Sequence, residues 1–490
     1  MKTAAALVRN SNLAILFHIA PRLANVLTFI LIGRWLDVSM AGIFTLAVTY
    51  LLILSSVTRG LDDLVVRQVA REPELADRYL TNFFFLRLFL ALALYPLLWL
   101  FLTYGVQYDD FTRLFILIFA LSVVPDSLIA VLQAVLMGQG EFSLPAWTIT
   151  GINLVKFLVA VLILKSGLSL LWLGGIWLLI SFFGLALLAF MVSRRIRWWS
   201  RRCLTDWSLL RQHWTTALPF LGITLVLTLE GQSDVVILSS YHSAREIGWY
   251  GAATTIISSL VILSQAYRQA VYPLMTRYSL AAPDKLAFLY TRSMRYMALL
   301  AFPMAVGVAI LAAQIVPLVF GPNFSPTIQV LVILAPVLLI VYLNVPNSRL
   351  MLSMDRQRWS LIFLVLSMVT NIVLNLILVP RYAATGAAIS RLCSISFYFS
   401  LSYVYVTHNL VRQNLLALLG RPALAAGLMA LVVWPLRDMP LWAPIIAGMI
   451  SFGIAVWLLQ AIPKDDWALI KQSYAARRRG PTSDHLSKST

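Results

Sequence analysis

Long apolar runs recur along the whole chain and are separated by short polar segments. Because about 20 helical residues cross the hydrocarbon of a bilayer, these runs predict an all-α, polytopic membrane protein of about 14 transmembrane helices. The predicted spans are 13–35, 41–60, 83–104, 113–137, 144–165, 168–192, 215–239, 247–272, 293–320, 327–353, 359–380, 382–406, 418–436 and 440–462.

Composition agrees with this pattern. Of 490 residues, 60% are hydrophobic and only 12% are charged, whereas a soluble domain carries about 25% charged residues. Cys203 and Cys393 are the two cysteines, and they lie too far apart to indicate a disulfide framework or a metal site. The phosphate-binding pattern G-x-x-x-x-G-K-[ST] does not occur. We therefore expect no cofactor and no nucleotide-driven motor within the chain.

The basic residues predict the orientation in the membrane. With the amino terminus in the cytoplasm, the inner segments hold 28 of the 38 Lys and Arg residues, and the outer loops hold six. This asymmetry follows the positive-inside rule and places both termini in the cytoplasm. Contact with the anionic inner leaflet therefore explains the net charge of +18, and this charge does not indicate binding of nucleic acid.

One basic polar segment, residues 193–214, divides the chain, and we interpret it as an interfacial helix on the inner leaflet. The predicted organisation is an N-lobe (1–192), this linker (193–214), a C-lobe (215–410), two further helices (411–463) and a polar basic tail (464–490). All outer loops are short, so no soluble domain is inserted.

The two lobes show a faint internal repeat. "AGIFTLAVT" opens the second span at Ala41, and "IGWYGAATT" opens the eighth at Ile247. Asn153 of the fifth span corresponds to Asn371 of the eleventh at a similar offset. Six helices return the chain to the same side, so the lobes are parallel repeats. Two such repeats around a central cavity are typical of transporters.

Several segments resemble the bacterial O-antigen and exopolysaccharide flippases of the multidrug/oligosaccharidyl-lipid/polysaccharide exporter superfamily. They are "GRWLDVSMAGIFTLAV" (33–48), "GQSDVVILSSYHSAREIGWYGAAT" (231–254), "GPNFSPTIQVLVILAPVLLIVYLNVPNSRLMLSMDRQRW" (321–359) and "TNIVLNLILVPRYAATGAAIS" (370–390). The resemblance implies an inner-membrane protein that moves a sugar repeat unit on undecaprenyl pyrophosphate by alternating access.

Arg22 lies inside the first span, in "FHIAPRLANV" (17–26). At 1.5 Å per residue it is about 15 Å deep, where an unpaired charge is costly. The resemblance suggests contact with the substrate pyrophosphate in the lumen, since a guanidinium fork matches phosphate geometry. The alternative is a buried ion pair with an acid on another helix. His18 nearby is a candidate titratable group or a packing residue.

Other charged residues at membrane depth also leave two interpretations open. Asp126 and Lys156 flank the inner turn at equal distance in sequence, which favours a structural ion pair; otherwise Lys156 faces the cavity. Glu230 and Asp234 share one helix face and suit ion coupling. Alternatively, Glu230 pairs with Arg391, and Asp234 lies near the outer headgroups.

Three further arginines, Arg87, Arg268 and Arg349, lie about five residues from inner helix ends. They either snorkel to lipid phosphates or form a vestibule for the substrate. Asn344, Asn347, Asn371 and Asn375 are expected to hydrogen-bond between helices. The substrate-binding candidates are thus Arg22, Lys156, Arg391, Arg87, Arg268 and Arg349, and the ion-coupling candidates are Glu230, Asp234 and Asp126.

The expected function is translocation of a lipid-linked oligosaccharide by a monomer, without enzymatic activity. A polysaccharide polymerase and a chain-length regulator in the same membrane are further candidate partners; nucleic acid is not. A drug/cation antiporter of the same superfamily is the alternative, and a membrane-embedded polymerase or ligase is a weaker one. Short outer loops argue against an enzyme, and an excess of cations at membrane depth argues for an anionic substrate.

Overall fold

The computed structural model describes residues 21–195 and 207–462, and its described residues form helices joined by short turns. In the first half the helices are α1 (21–35), α2 (Val38–Arg59), α3 (Asp62–Arg71), α4 (Ala76–Leu100), α5 (Asp110–Ala120), α6 (Val123–Gly138), α7 (Ser143–Lys165) and α8 (Leu170–Ser193). In the second half they are α9 (Trp207–Tyr241), α10 (Ala244–Ala281), α11 (Pro283–Phe320), α12 (Thr327–Ser353), α13 (Gln357–Asn409), α14 (Leu415–Val433) and α15 (Trp442–Leu458).

The all-α membrane fold is confirmed. Within the described ranges, 11 helical segments are long and apolar enough to cross a membrane, and α15 is a shorter apolar helix. Helix α12 has the predicted bounds, and α7 differs from its predicted span by one residue. The basic tail and the central part of the 193–214 linker lie outside the described residues, as does His18.

Two predicted spans form the single long helix α13, which bends sharply at Ala383. The backbone of Ala383 has φ 47° and ψ −129°, so the helical geometry is interrupted three residues after Pro380. Gly386 is required next to this bend, because a Cβ atom there would lie 2.5 Å from the Leu378 carbonyl oxygen. Glu246 accepts the backbone N–H of Ala384 at 3.2 Å and so caps the second part of α13.

Helix α3 is an element that the hydropathy pattern missed. Its ten residues include four charged ones, so the segment was predicted as part of a polar inner loop. Leu64, Val65 and Val69 are nevertheless buried in one cluster with α6. Their spacing of one and four positions is that of one helix face, and this amphipathic signal was present in the sequence.

The helices pack into two groups that meet along α2. Helices α2, α5, α6 and α8 pack together in the first half, and α9, α10, α12 and α13 in the second. Helix α2 contacts both α9 and α10. A Cβ atom on Gly42 would lie 1.8 Å from the Ala244 carbonyl oxygen, and one on Gly248 would lie 2.2 Å from that of Val38. The two halves are therefore in backbone contact at the ends predicted to face outward.

Candidate functional site

Arg87 is a fully buried structural residue. Its guanidinium pairs with the Asp62 carboxylate and donates to the Ser127 carbonyl oxygen at 3.3 Å. The sequence interpretations placed this side chain at lipid phosphates or in a vestibule, and both are wrong. The missed helix α3 is the reason, because it supplies Asp62, the ion-pair partner of Arg87.

Lys156 and Asp126 form the predicted ion pair. Their Nζ and Oδ1 atoms are 3.8 Å apart, and the Lys156 ammonium also lies 5.1 Å from the centre of the Trp177 ring. The Lys156 side chain is only 6% exposed. The structural pairing of these two residues is confirmed, so Lys156 is not placed as a free cation in a cavity.

Glu230, Asp234 and Arg391 form a buried charged cluster between α9 and the second part of α13. Arg391 Nη1 lies 2.9 Å from Glu230 Oε1, and Arg391 Nε lies 3.5 Å from Asp234 Oδ2. Asp234 also accepts hydrogen bonds from the Tyr250 hydroxyl at 2.5 Å and from Asn375 Nδ2 at 2.8 Å. The predicted pairing of Glu230 with Arg391 is confirmed.

Both acids of this cluster face the Arg391 guanidinium. Asp234 is 1% exposed, so protein encloses its carboxylate. The Arg391 guanidinium is held by two carboxylates and by the Gly231 carbonyl oxygen at 3.3 Å, so it is not an unpaired cation. With all three groups ionised, two negative charges oppose one positive charge. The cluster therefore carries a net charge of −1, which a proton or a monovalent cation would neutralise.

Arg22, Arg268 and Arg349 form a cluster of the opposite character, called here the arginine cluster. The Arg268 guanidinium interacts electrostatically with those of Arg22 and Arg349, although the three residues lie on α1, α10 and α12. Within residues 21–195 and 207–462, none of the three has a salt-bridge partner. Like charges placed together at membrane depth are costly, and a bound anion would offset that cost.

Arg349 has the most constrained geometry in the arginine cluster. Its guanidinium lies 5.6 Å from the centre of the Tyr272 ring, which holds it by a cation–π contact. Its Nε atom is buried without a hydrogen-bond partner in the described structure. Arg22, by contrast, is exposed. The arginine cluster thus combines Arg349, whose Nε atom has no hydrogen-bond partner among the described residues, with the exposed Arg22.

Tyr398 lies between the arginine cluster and the charged cluster. Its phenol group interacts electrostatically with both Glu230 and Arg349, and its hydroxyl lies 3.2 Å from Ser360 Oγ. No sequence pattern distinguishes Tyr398 from the other aromatic residues of the same segment. Only the helix packing brings this tyrosine between two charged groups of different helices.

The four asparagines bond between helices, as predicted. Asn347 accepts from the Tyr290 hydroxyl at 2.8 Å, and Asn344 accepts from Ser402 Oγ at 3.1 Å. Asn371 accepts from Ser233 Oγ at 2.7 Å, and Asn375 donates to Asp234. The described residues contain no group of three or more His, Cys, Asp or Glu side chains suited to a metal ion.

The comparisons with known proteins agree with this architecture. The family described as "Polysaccharide biosynthesis protein" matches residues 57–329. "Probable flippase AglR" of Haloferax volcanii is 27% identical over 241 residues, which cover 46% of this chain and 50% of that protein. "Putative O-antigen transporter" of Escherichia coli is 24% identical over 187 residues, which cover 38% and 45%. The chain thus spans about half the length of these curated relatives, or less.

Two solved structures superpose on most of this chain. "Lipid II flippase MurJ, inward closed conformation" superposes with a TM-score of 0.76 at 16% identity, covering 91% of this chain and 98% of that one. An inward-facing "multidrug resistance MATE family transporter of the MOP superfamily" superposes with a TM-score of 0.68 at 14% identity, covering 79% and 95%. The chain belongs to the polysaccharide biosynthesis protein family and has the fold of the multidrug/oligosaccharidyl-lipid/polysaccharide exporter superfamily.

Proposed function

We propose that this protein is a flippase that moves an undecaprenyl-pyrophosphate-linked oligosaccharide across the bacterial inner membrane by alternating access. The product serves cell-surface or secreted polysaccharide. In this proposal both termini are cytoplasmic, and the substrate enters from the inner leaflet. The names of the curated relatives, a flippase and an O-antigen transporter, support the substrate class.

The observation that carries the proposal is the division of the six candidate cations into two groups. Arg87, Lys156 and Arg391 are each paired with an acid. The other three are grouped with one another as the arginine cluster. Three guanidinium groups offer a high density of donors to a pyrophosphate, and bidentate arginine–phosphate bonds are among the strong hydrogen bonds in proteins.

The same division weakens the alternative of a drug/cation antiporter. An organic cation would meet three arginines at the arginine cluster and would be repelled. The fold alone does not separate the two functions, because drug transporters share it. The polymerase or ligase alternative has no support in the named relatives, which are flippases or transporters.

We further propose that the charged cluster of Glu230, Asp234 and Arg391 couples transport to an ion gradient. Its net negative charge would accept a proton or a monovalent cation, which would alter the hold of Glu230 and Asp234 on Arg391. Tyr398 interacts with both Glu230 and Arg349. Because both charges lie within electrostatic reach of this one side chain, a change of charge at Glu230 would alter the field at Arg349 directly.

The test is complementation of polysaccharide export in a strain that lacks its own flippase, scored beside membrane abundance of the protein. We expect the wild-type chain to restore export and Arg268→Ala to fail at normal abundance. Arg277→Ala is the matched control, because Arg277 is an exposed arginine on the same helix α10. Full export with Arg268→Ala, or equal loss with both variants, would contradict the role of the arginine cluster.

A further inference from the structure

A second basic site lies away from the arginine cluster, between α11, α14 and the end of α15. It is a cavity of about 600 Å³ lined by Arg295, Arg421, Gln460 and apolar residues. Helices α1, α10 and α12, which hold the arginine cluster, contribute no residue to its lining. The cavity is therefore distinct from the proposed transport site.

The polar part of this cavity is a preformed cationic corner. Arg295 interacts electrostatically with Arg421 and with Arg292, so three positive charges lie close together. Arg421 Nη1 donates to the Gln460 carbonyl oxygen at 3.0 Å, which fixes the guanidinium at the cavity. Gln460, the second residue after α15, has a positive φ of 48°, and its carbonyl oxygen faces Arg421.

The remaining wall is apolar and faces away from the protein. Leu416 and Leu424 line the cavity and are 83% and 62% exposed. Trp457, three residues before Gln460, is 70% exposed, and tryptophan favours the headgroup level of a bilayer. A cationic corner beside exposed leucines matches an amphiphile with a phosphate head and acyl chains.

We propose that this cavity binds the headgroup of an anionic phospholipid from the inner leaflet. The positive-inside distribution assigns this end of α11 and α14 to the cytoplasmic side, where basic pockets between helices bind such headgroups. A phospholipid there joins α11 to α14 and α15 and stabilises the packing of the last two helices on the C-lobe. The undecaprenyl pyrophosphate of the substrate uses the arginine cluster instead.

Native mass spectrometry of the purified full chain in detergent tests this site. Cardiolipin, phosphatidylglycerol and phosphatidylethanolamine are titrated separately, and the retained lipid is measured. We expect preferential retention of the two anionic lipids. Each arginine removed in Arg295→Ala and Arg421→Ala lowers the affinity about fivefold, the usual contribution of one basic residue near an anionic lipid.

Arg277→Ala is again the control, since Arg277 is exposed at an inner helix end and does not line the cavity. Should the double variant fail to give a monodisperse protein, the single variant Arg421→Ala decides, because this side chain is exposed. Undiminished cardiolipin binding by a folded arginine variant overturns the proposal. So does stoichiometric displacement of cardiolipin by undecaprenyl pyrophosphate.

The chain's own carboxyl-terminal segment is the remaining competitor for the cavity. Asp465 and Asp466 follow Gln460 closely in sequence. If these acids occupied the cationic corner, Asp465→Asn with Asp466→Asn would increase cardiolipin affinity, and the phospholipid would not be the native occupant. We expect no increase.

Discussion

Arg391 on α13 and Glu230 on α9 are joined by an ion pair with 2.9 Å between Nη1 and Oε1. Asp234, one helical turn after Glu230, contacts the same guanidinium through Nε at 3.5 Å. Arg391 thus neutralises part of the charge of the two acids. It also joins α9 to the second part of α13, which are the seventh and twelfth predicted spans.

This arrangement predicts a severe loss of stability for Arg391→Ala. Removing the guanidinium leaves two acids in the protein interior, and breaking such a buried pair costs about 3–5 kcal/mol. Thermal unfolding and size-exclusion profiles of the purified variant measure the effect. Arg381→Ala, an exposed arginine on the same helix, is the control and should behave as wild type. A normal unfolding temperature for Arg391→Ala would refute the structural role.

The pair of Lys156 and Asp126 predicts a compensating double substitution. Lys156→Ala leaves the partly buried carboxylate of Asp126 without its ion-pair partner, so protein abundance should fall. Asp126→Ala in the same chain removes this unpaired negative charge and should restore part of the abundance. Lys165→Ala provides the control, because Lys165 is exposed at the end of the same helix. A folded Lys156→Ala protein without export would instead indicate a role in transport.

The contact between α2 and α10 predicts that Gly42→Ala opens the outer side. The added Cβ atom would lie 1.8 Å from the Ala244 carbonyl oxygen, so the two helices must separate. Overpacking of this kind costs about 1–3 kcal/mol. Gly307→Ala is the control, because no atom lies within 4 Å of the added Cβ there.

Cysteine labelling reports this separation. In a chain without Cys203 and Cys393, a cysteine at Ser239 probes the outer end of α9, where Ser239 Oγ lies 2.5 Å from the Tyr108 hydroxyl. A membrane-impermeant maleimide should label it faster in the Gly42→Ala background than in the Gly307→Ala background. Equal labelling rates would show that the glycine contact does not hold the outer side closed.

The distribution of basic residues predicts cytoplasmic termini. A cysteine added to the carboxyl-terminal tail should resist an impermeant maleimide in intact cells and react after the membrane is permeabilised. A cysteine at Arg437, in a predicted outer loop, is the positive control and should react in intact cells. The reverse pattern would invert the topology and, with it, the proposed side of substrate entry.

Hydropathy and charge predicted the membrane fold and most helix bounds, because crossing a bilayer requires a fixed length of apolar helix. Depth along a helix also predicted which partners meet, since Lys156 and Asp126, and Glu230 and Arg391, lie at equal depths. The depth of a residue in the membrane does not determine how its helix is rotated about the helix axis, and so does not determine which neighbour the side chain faces. The burial of Arg87, the contact of Arg391 with Asp234 and the position of Tyr398 depend on that rotation, and only the packed structure shows them.

The arginine cluster is a second feature that hydropathy and charge could not predict. From the sequence, Arg22 was expected in the lumen or in a buried ion pair, and the other two at lipid phosphates or in a vestibule for the substrate. Their meeting in the arginine cluster depends on how α1, α10 and α12 pack, and the residues are separated by more than 300 positions from first to last. Hydropathy has no information on such long-range contacts.

The most direct test of the account is the affinity of the purified protein for undecaprenyl-pyrophosphate-linked oligosaccharide. Hydrogen bonds to charged groups contribute about 1.5–3 kcal/mol, so Arg22→Ala, Arg268→Ala or Arg349→Ala should each weaken binding at least about tenfold. Arg22→Lys should lose less, because lysine keeps the charge without the bidentate fork. Arg277→Ala should bind as wild type. Wild-type affinity in all three alanine variants, measured on folded protein, would contradict the claim that the arginine cluster holds the substrate pyrophosphate.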